Sequence, residues 1–218
     1  VQQFGIKEGL SSLNINTLFT DSKNNLWIGM YDGGLQKFKV FPKGPKLNVL
    51  FSYKNNGNIN DITSNIVFGI NESKSGEIWV ATSAGLSKLL SNNTFQNFYE
   101  KDGLSNVYLY SILEDKANNF WMSSNNGIIK FDPNVKLNEI SFKNYGIKDG
   151  LINTEYNIGS GFISKTGTIF FGGANGYNVF EPNKIKDNLY SPKTFIVGYK
   201  RAGKNVELDS NISYKKNL

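Results

Sequence analysis

The chain contains no cysteine and no histidine, and each absence removes a class of protein. Without cysteine there is no disulfide framework. Without histidine and cysteine the usual zinc sites are excluded, and the commonest general base is missing. Hydrophobic residues make up only 39% of the composition, and no apolar run approaches the roughly 20 residues that span a bilayer. The chain therefore reads as a soluble β-domain, and any membrane contact would run through segments outside it. Val1 is not an initiator methionine and no signal peptide precedes it, which leads us to expect a mature or excised segment. The net charge of +6 is concentrated near the C-terminus, where residues 184–218 carry eight Lys/Arg against three Asp/Glu. Residues 1–183 hold sixteen basic and fifteen acidic residues, so the main body offers no continuous phosphate-binding stripe and no nucleic-acid partner is expected.

What the chain does have is internal repetition. Asn106–Pro133 reads as a strand, an Asp115–Asn119 turn, a Phe120–Met122 strand, an Asn125-Asn126-Gly127 turn and a third strand stopped by Asp132-Pro133. With Trp121 as anchor, equivalent positions fall at Trp27, Trp79 and Phe170, separated by 52, 42 and 49 residues, a propeller-like period. Three residues before each anchor stand Asn24, Gly76, Asn118 and Gly167, types that tolerate the left-handed backbone of a tight turn. Six before stand Asp21, Ser73, Asp115 and Ser164, whose short side-chain oxygens can bond the turn backbone. Two after come Gly29, Ala81, Ser123 and Gly172, all small. Twelve before are Ile15, Val67, Leu109 and Ile158, the apolar positions of the first strands.

The fold class that follows is all-β: four blades of a β-propeller, each a four-stranded antiparallel sheet and together expected as an arc or fragment of a larger propeller, followed by the first strands of a β-sandwich. The repeats divide at about 1–54, 55–100, 101–145 and 146–183, with a linker over 184–192 and a truncated β-unit over 193–218. Val1–Gly5 reads as an outer strand without its own sheet. The fourth copy lacks an outer strand of its own. The loop Lys7-Glu8-Gly9-Leu10 recurs as Lys101-Asp102-Gly103-Leu104 and Lys148-Asp149-Gly150-Leu151. An arc of this kind exposes apolar end faces and unpaired edges, so a homodimer is expected.

The Gly-Leu loop, Glu114-Asp115, Asn25-Leu26-Trp27-Ile28-Gly29 and Gly33-Gly34-Leu35 together resemble the two-component regulator propeller repeat. Ser191–Val197, Gly203-Lys204 and Val206-Glu207-Leu208 are similar to the start of the triple-tyrosine domain that follows such propellers. The resemblance covers nearly the whole chain. It implies the periplasmic sensor region of a hybrid two-component histidine kinase, which detects oligosaccharides, needs no cofactor and is not itself catalytic. The departures are Phe170 for Trp, Ser123-Ser124 for Gly-Thr, and a triple-tyrosine segment too short to fold as in the family.

A Trp that recurs once per repeat at a fixed strand position reads as core between sheets rather than as a sugar platform. One Asp per turn, without alternating oxygen ligands, reads as a turn cap rather than a metal site. Exposed aromatics and amides at the strand entrances, Tyr108, Tyr110, Asn153, Glu155, Tyr156 and Asn157, are the candidate ligand contacts. No carboxylate pair stands apart from turn positions, which argues against an enzyme. An interaction propeller without a small ligand is the alternative to the sensor.

Overall fold

The computed structural model describes residues 3–40, 47–134, 142–185, 199–201 and 204–206. Two compact units are present, Val1–Lys184 and Ile185–Leu218. The first unit holds four antiparallel sheets in chain order. Blade one is β1 (Ile15–Thr20), β2 (Asn25–Met30), β3 (Leu35–Val40) and β4 (Leu47–Tyr53). Blade two is β5 (Val67–Glu72), β6 (Ile78–Thr82), β7 (Gly85–Leu89) and β8 (Phe95–Phe98), and blade three β9 (Leu109–Glu114), β10 (Phe120–Ser124), β11 (Gly127–Phe131) and β12 (Phe142–Tyr145). Blade four has three strands among the described residues, β13 (Tyr156–Ile163), β14 (Ile169–Gly173) and β15 (Gly176–Phe180). In the second unit β16 (Tyr199–Arg201) pairs antiparallel with β17 (Lys204–Val206). The rest of the β-unit expected over 193–218 lies outside the described residues, as does most of the linker.

The turns explain the register. Between first and second strands, Asn24 and Asn118 sit at positive φ, as does Gly76. The Asp six residues before Trp27 and Trp121 folds over the turn: Asp115 Oδ1 accepts the backbone N–H of Ala117 at 2.8 Å and of Asn119 at 2.9 Å. Where the third strand opens, Gly127 has φ 91° and a Cβ there would run into the Tyr145 carbonyl, so only glycine fits. The recurrent Gly-Leu loop is a single 3₁₀ turn. In it Glu8, Asp102 and Asp149 accept the backbone N–H of Gly5, Tyr99 and Gly146 at 2.7, 2.8 and 2.8 Å. Gln3–Gly5 carry no strand, contrary to the expected remnant over Val1–Gly5; Val1 and Gln2 lie outside the described residues.

First strands of successive blades pack side by side, and the apolar core lies in the layers between blades. Trp27 clusters with Val67, Ile70, Ile78 and Val80 of blade two. Trp79 clusters with Leu109, Ile112, Phe120 and Met122 of blade three. Trp121 meets Phe180 of blade four at 4.8 Å between ring centroids. All three indoles are 1% exposed. A third-strand lysine Nζ lies over each ring, Lys37 at 4.9 Å, Lys88 at 5.3 Å and Lys130 at 5.9 Å from the centroid. Polar staples cross the same junctions. Glu72 accepts from Ser22 N at 2.6 Å and Ser22 Oγ at 2.8 Å, and Glu114 accepts from Lys74 N at 3.0 Å.

Blade four breaks these rules on its trailing face. Phe170 occupies the anchor position but is only half-buried, which corrects the expectation of four buried anchors. Among the described residues no following blade covers it, and its face-mates Phe162, Tyr177 and Val179 are 62%, 63% and 51% exposed. Its first strand also departs from the expected register. Tyr156, not Ile158, pairs with Gly173 where Leu109 pairs with Ser124. The pairing then skips to Gly161 opposite Phe171, so Asn157–Ser160 bulge out and Ile158 is 44% exposed.

Candidate ligand site at the strand entrances

In an antiparallel meander the start of the first strand and the turn between second and third strands lie at the same end. At this end of blades two to four, Tyr110 of β9 packs against Phe68 of β5, with ring centroids 5.3 Å apart. Tyr110 donates from its hydroxyl to Asn125 Oδ1 at 2.6 Å, across the β10–β11 turn. Burial raises the Tyr110 phenol above its ordinary pKa, against the Asn125 bond and with help from the neighbouring Tyr108 and Glu155. Those two residues therefore share its electrostatic surroundings. Tyr108 is 44% exposed, and Glu155 and Asn157 are exposed. Aromatic faces, a carboxamide and one carboxylate are thus presented together.

Two of the expected contacts lie elsewhere. Tyr156 is 4% exposed, not at the surface: its ring packs edge-on against Phe171, and its hydroxyl accepts from Asn178 Nδ2 at 2.7 Å. The bulge turns its neighbours outward and itself inward. Asn153 is likewise buried, with neither atom of its amide hydrogen-bonded. In the other blades the equivalent Ser12, Ser64 and Asn106 accept the N–H two residues on, at 3.0, 3.0 and 2.8 Å. Phe68 and Asn125 escaped the sequence reading. The signal for Phe68 was available, because it precedes the small residue Gly69 as Tyr110 precedes Ser111.

Burial without an ionised partner pushes the phenols of Tyr156 and of Tyr53, the last residue of blade one's outer strand, up to about 12. The unfolded chain ionises tyrosine near 10, about two units lower. Stability is therefore fully present below about pH 10 and falls as pH climbs towards 12, by up to about 1.4 kcal/mol per unit per tyrosine. Urea midpoints across this range are expected to fall less steeply for Tyr53→Phe than for the wild type. Parallel slopes would remove Tyr53 from this account.

A second cleft of about 590 Å³ lies between blades one and two at the opposite end, lined by Lys23, Lys37, Glu72, Glu77 and Lys88 among others. It opens because Ser22 stands where Lys74 stands in blade two. There Lys74 Nζ spans the junction to Asp115 O, Lys116 O and Asn118 Oδ1 at 2.9, 3.0 and 2.8 Å. The Trp27 ring beneath the cleft is 1% exposed, so it offers no stacking surface.

Sheets of this meander type, set side by side with their first strands adjacent, are blades of a β-propeller. Residues 9–32 and 102–126, in blades one and three, match the two-component regulator propeller family. The chain is 31% identical over 212 residues to histidine kinase P4 of Formosa agariphila, covering 92% of this chain and 14% of that protein. Among solved structures it is similar to the extracellular domain of a putative hybrid two component system from B. thetaiotaomicron. That match has a TM-score of 0.71 at 23% identity, over 96% of this chain and 28% of the other. A second such extracellular domain from the same organism matches at TM-score 0.63 and 22% identity, over 84% of this chain and 27% of the other. The chain thus spans about a seventh of the curated relative.

Proposed function

We propose that this chain is the propeller portion of the periplasmic sensor region of a hybrid two-component histidine kinase, and that it reads an oligosaccharide without chemistry of its own. The observation that carries this reading is the partly exposed aromatic surface of Tyr108 and Tyr110 beside Asn125, Glu155 and Asn157. Sugar rings present apolar C–H faces to aromatic rings and hydroxyls to amides and carboxylates, and such sites combine an apolar wall with a few polar groups. The extracellular placement of the structural neighbours and the kinase named among the relatives support the reading.

A thermal-shift screen of oligosaccharides tests it. A ligand at about 100 times its dissociation constant adds about 2.7 kcal/mol to folding stability. At least one oligosaccharide is expected to raise the melting temperature, and Tyr108→Ala and Glu155→Gln are expected to abolish the shift while melting like the wild type. If no glycan stabilises the chain, or both variants respond as the wild type does, the site is not a sugar site and the interaction-propeller reading replaces it.

A further inference from the structure

A lysine crosses two of the three junctions between blades, at the end where first and second strands are joined. In each case it stands five residues before the anchor aromatic and reaches the turn of the next blade. Lys74 Nζ donates to Asp115 O, Lys116 O and Asn118 Oδ1, so its ammonium has an acceptor for each of its three protons. Lys116 runs beside Gly167 of blade four, where an added Cβ would lie 3.1 Å from the Lys116 Cε and 3.4 Å from its Cδ. Between blades one and two the equivalent residue is Ser22, too short to cross. The cleft of about 590 Å³ lies there.

The rest of the lysine seat is present in that cleft. Ser22 N and Oγ donate to Glu72 as Lys74 N donates to Glu114, so the two turns meet in the same way at both junctions. The carbonyls equivalent to Asp115 O and Lys116 O are those of Ser73 and Lys74, which stand in the chain between Glu72 and Gly76, both in the cleft lining. Ser73 O accepts Gly76 N at 2.8 Å. Asp115 O likewise accepts Asn118 N, at 3.2 Å, and takes the Lys74 ammonium on its second lone pair. At the Asn118 position Gly76 leaves extra room, since a Cβ there would meet nothing within 4 Å. Ile78, Leu89 and Leu90 also line the cleft and offer an alkyl stem an apolar wall. Charge does not stand in the way. The lining holds Asp21, Glu72 and Glu77 against Lys23, Lys37 and Lys88, with Lys88 ion-paired to Glu77. The same positions at the next junction are Ser73, Glu114 and Asn119 against Ser75, Lys88 and Lys130. That more positive setting already holds a lysine ammonium, so the cleft opposes one less.

We infer that the cleft between blades one and two binds the primary ammonium of an alkyl amine, either a polyamine or the lysine side chain of a partner, in the place that Lys74 fills at the next junction. The ammonium donates to the Ser73 and Lys74 carbonyls, Glu72 supplies charge beside it, and the stem lies along the apolar lining. A primary ammonium is selected over a quaternary one, because a seat made of acceptors needs N–H donors. The inference is independent of the sugar reading, since the cleft lies at the opposite end of the blades and uses neither Tyr108 nor Glu155.

Backbone amide shifts of the 218-residue chain, followed by NMR during titration with putrescine and with Nα-acetyl-lysine methylamide at constant ionic strength, test it. Saturable shifts centred on residues 74–78 are expected, with a dissociation constant on the order of 1 mM. Tetramethylammonium, which has no N–H, is expected to bind at least about tenfold more weakly. A preference for the acetyl-lysine amide assigns the seat to a partner's lysine, and a preference for putrescine assigns it to a free polyamine. Ser22→Lys is expected to fill the seat from within, abolish amine binding and raise the urea midpoint. Ser22→Ala, which loses only the hydroxyl bond to Glu72, is expected to keep amine binding. Absence of saturable shifts, equal binding of tetramethylammonium, amine binding by Ser22→Lys as strong as by the wild type, equal loss in both variants, or shifts at the same residues with acetate in place of an amine would each overturn the proposal.

Discussion

Trp121→Ala is expected to lower the unfolding free energy by about 3–5 kcal/mol, the usual cost of truncating a buried indole. The indole is 1% exposed and held on every side: Tyr145 stacks at 5.6 Å, Phe180 lies at 4.8 Å and Lys130 Nζ at 5.9 Å from the ring. Its Nε1 also donates to Asp115 Oδ2 at 2.8 Å. Truncation therefore removes apolar burial, opens a cavity between blades three and four, and leaves the buried Asp115 Oδ2 with Asn119 Nδ2, at 3.1 Å, as its remaining donor. The same change at the equivalent Phe170 is expected to cost about 1 kcal/mol or less, because one side of that ring already faces solvent. Urea unfolding of the two variants decides the matter. A Trp121→Ala midpoint equal to the wild type, or a Phe170→Ala loss as large as that of Trp121→Ala, would show that the junctions are not where the stability lies.

The contrast between those two residues also marks how far sequence reasoning reached. Strand positions were legible because each blade repeats a short code: turn asparagine or glycine, anchor aromatic, small residue, opening glycine. Ile78–Thr82 and Tyr156–Ile163 fall where alternation and turn chemistry place them. Burial at Phe170 was not legible, since the code specifies which face a side chain takes and not whether another blade covers that face. Tyr156 was misplaced for a related reason. Counting back from the anchor assumes a constant register, and the bulge over Asn157–Ser160 shifts the buried aromatic two residues upstream of Ile158. The candidate site was partly legible: Tyr108, Tyr110, Glu155 and Asn157 lie at the strand entrances. The contribution of Phe68 needs the lateral packing of two blades, which no single repeat contains.

Asp21→Ala is expected to cost about 3–5 kcal/mol, although it removes a side chain in a turn where most substitutions are mild. Asp21 is 6% exposed and satisfies four donors. Its Oδ1 accepts from Lys23 N at 3.0 Å and Asn25 N at 2.8 Å, and its Oδ2 from Asn25 Nδ2 at 2.8 Å and Trp27 Nε1 at 2.9 Å. Trp27 and Asn25 are 1% and 5% exposed, so water cannot readily replace the lost acceptor, and each buried donor left unpaired costs about 1–3 kcal/mol. Blade two shows what that loss looks like. Its turn carries Ser73, whose hydroxyl accepts the Glu77 N–H at 3.0 Å and meets Ser75 Oγ at 2.7 Å, and Trp79 Nε1 is left without a partner. The carboxylate also gives the effect a pH signature. Burial raises the Asp21 pKa, but the bonds from Asn25, Trp27 and Lys23 outweigh it and hold the group below its ordinary value. A folded pKa below the unfolded one means that this stabilisation is present above about pH 4 and is lost as pH falls through the folded value. The gap between wild type and Asp21→Ala is therefore expected to be widest near neutrality and to narrow in acid. Denaturant midpoints measured from neutral pH down to about pH 2.5 cover both sides of the transition; a gap independent of pH would show that the lost contacts owe nothing to the charge.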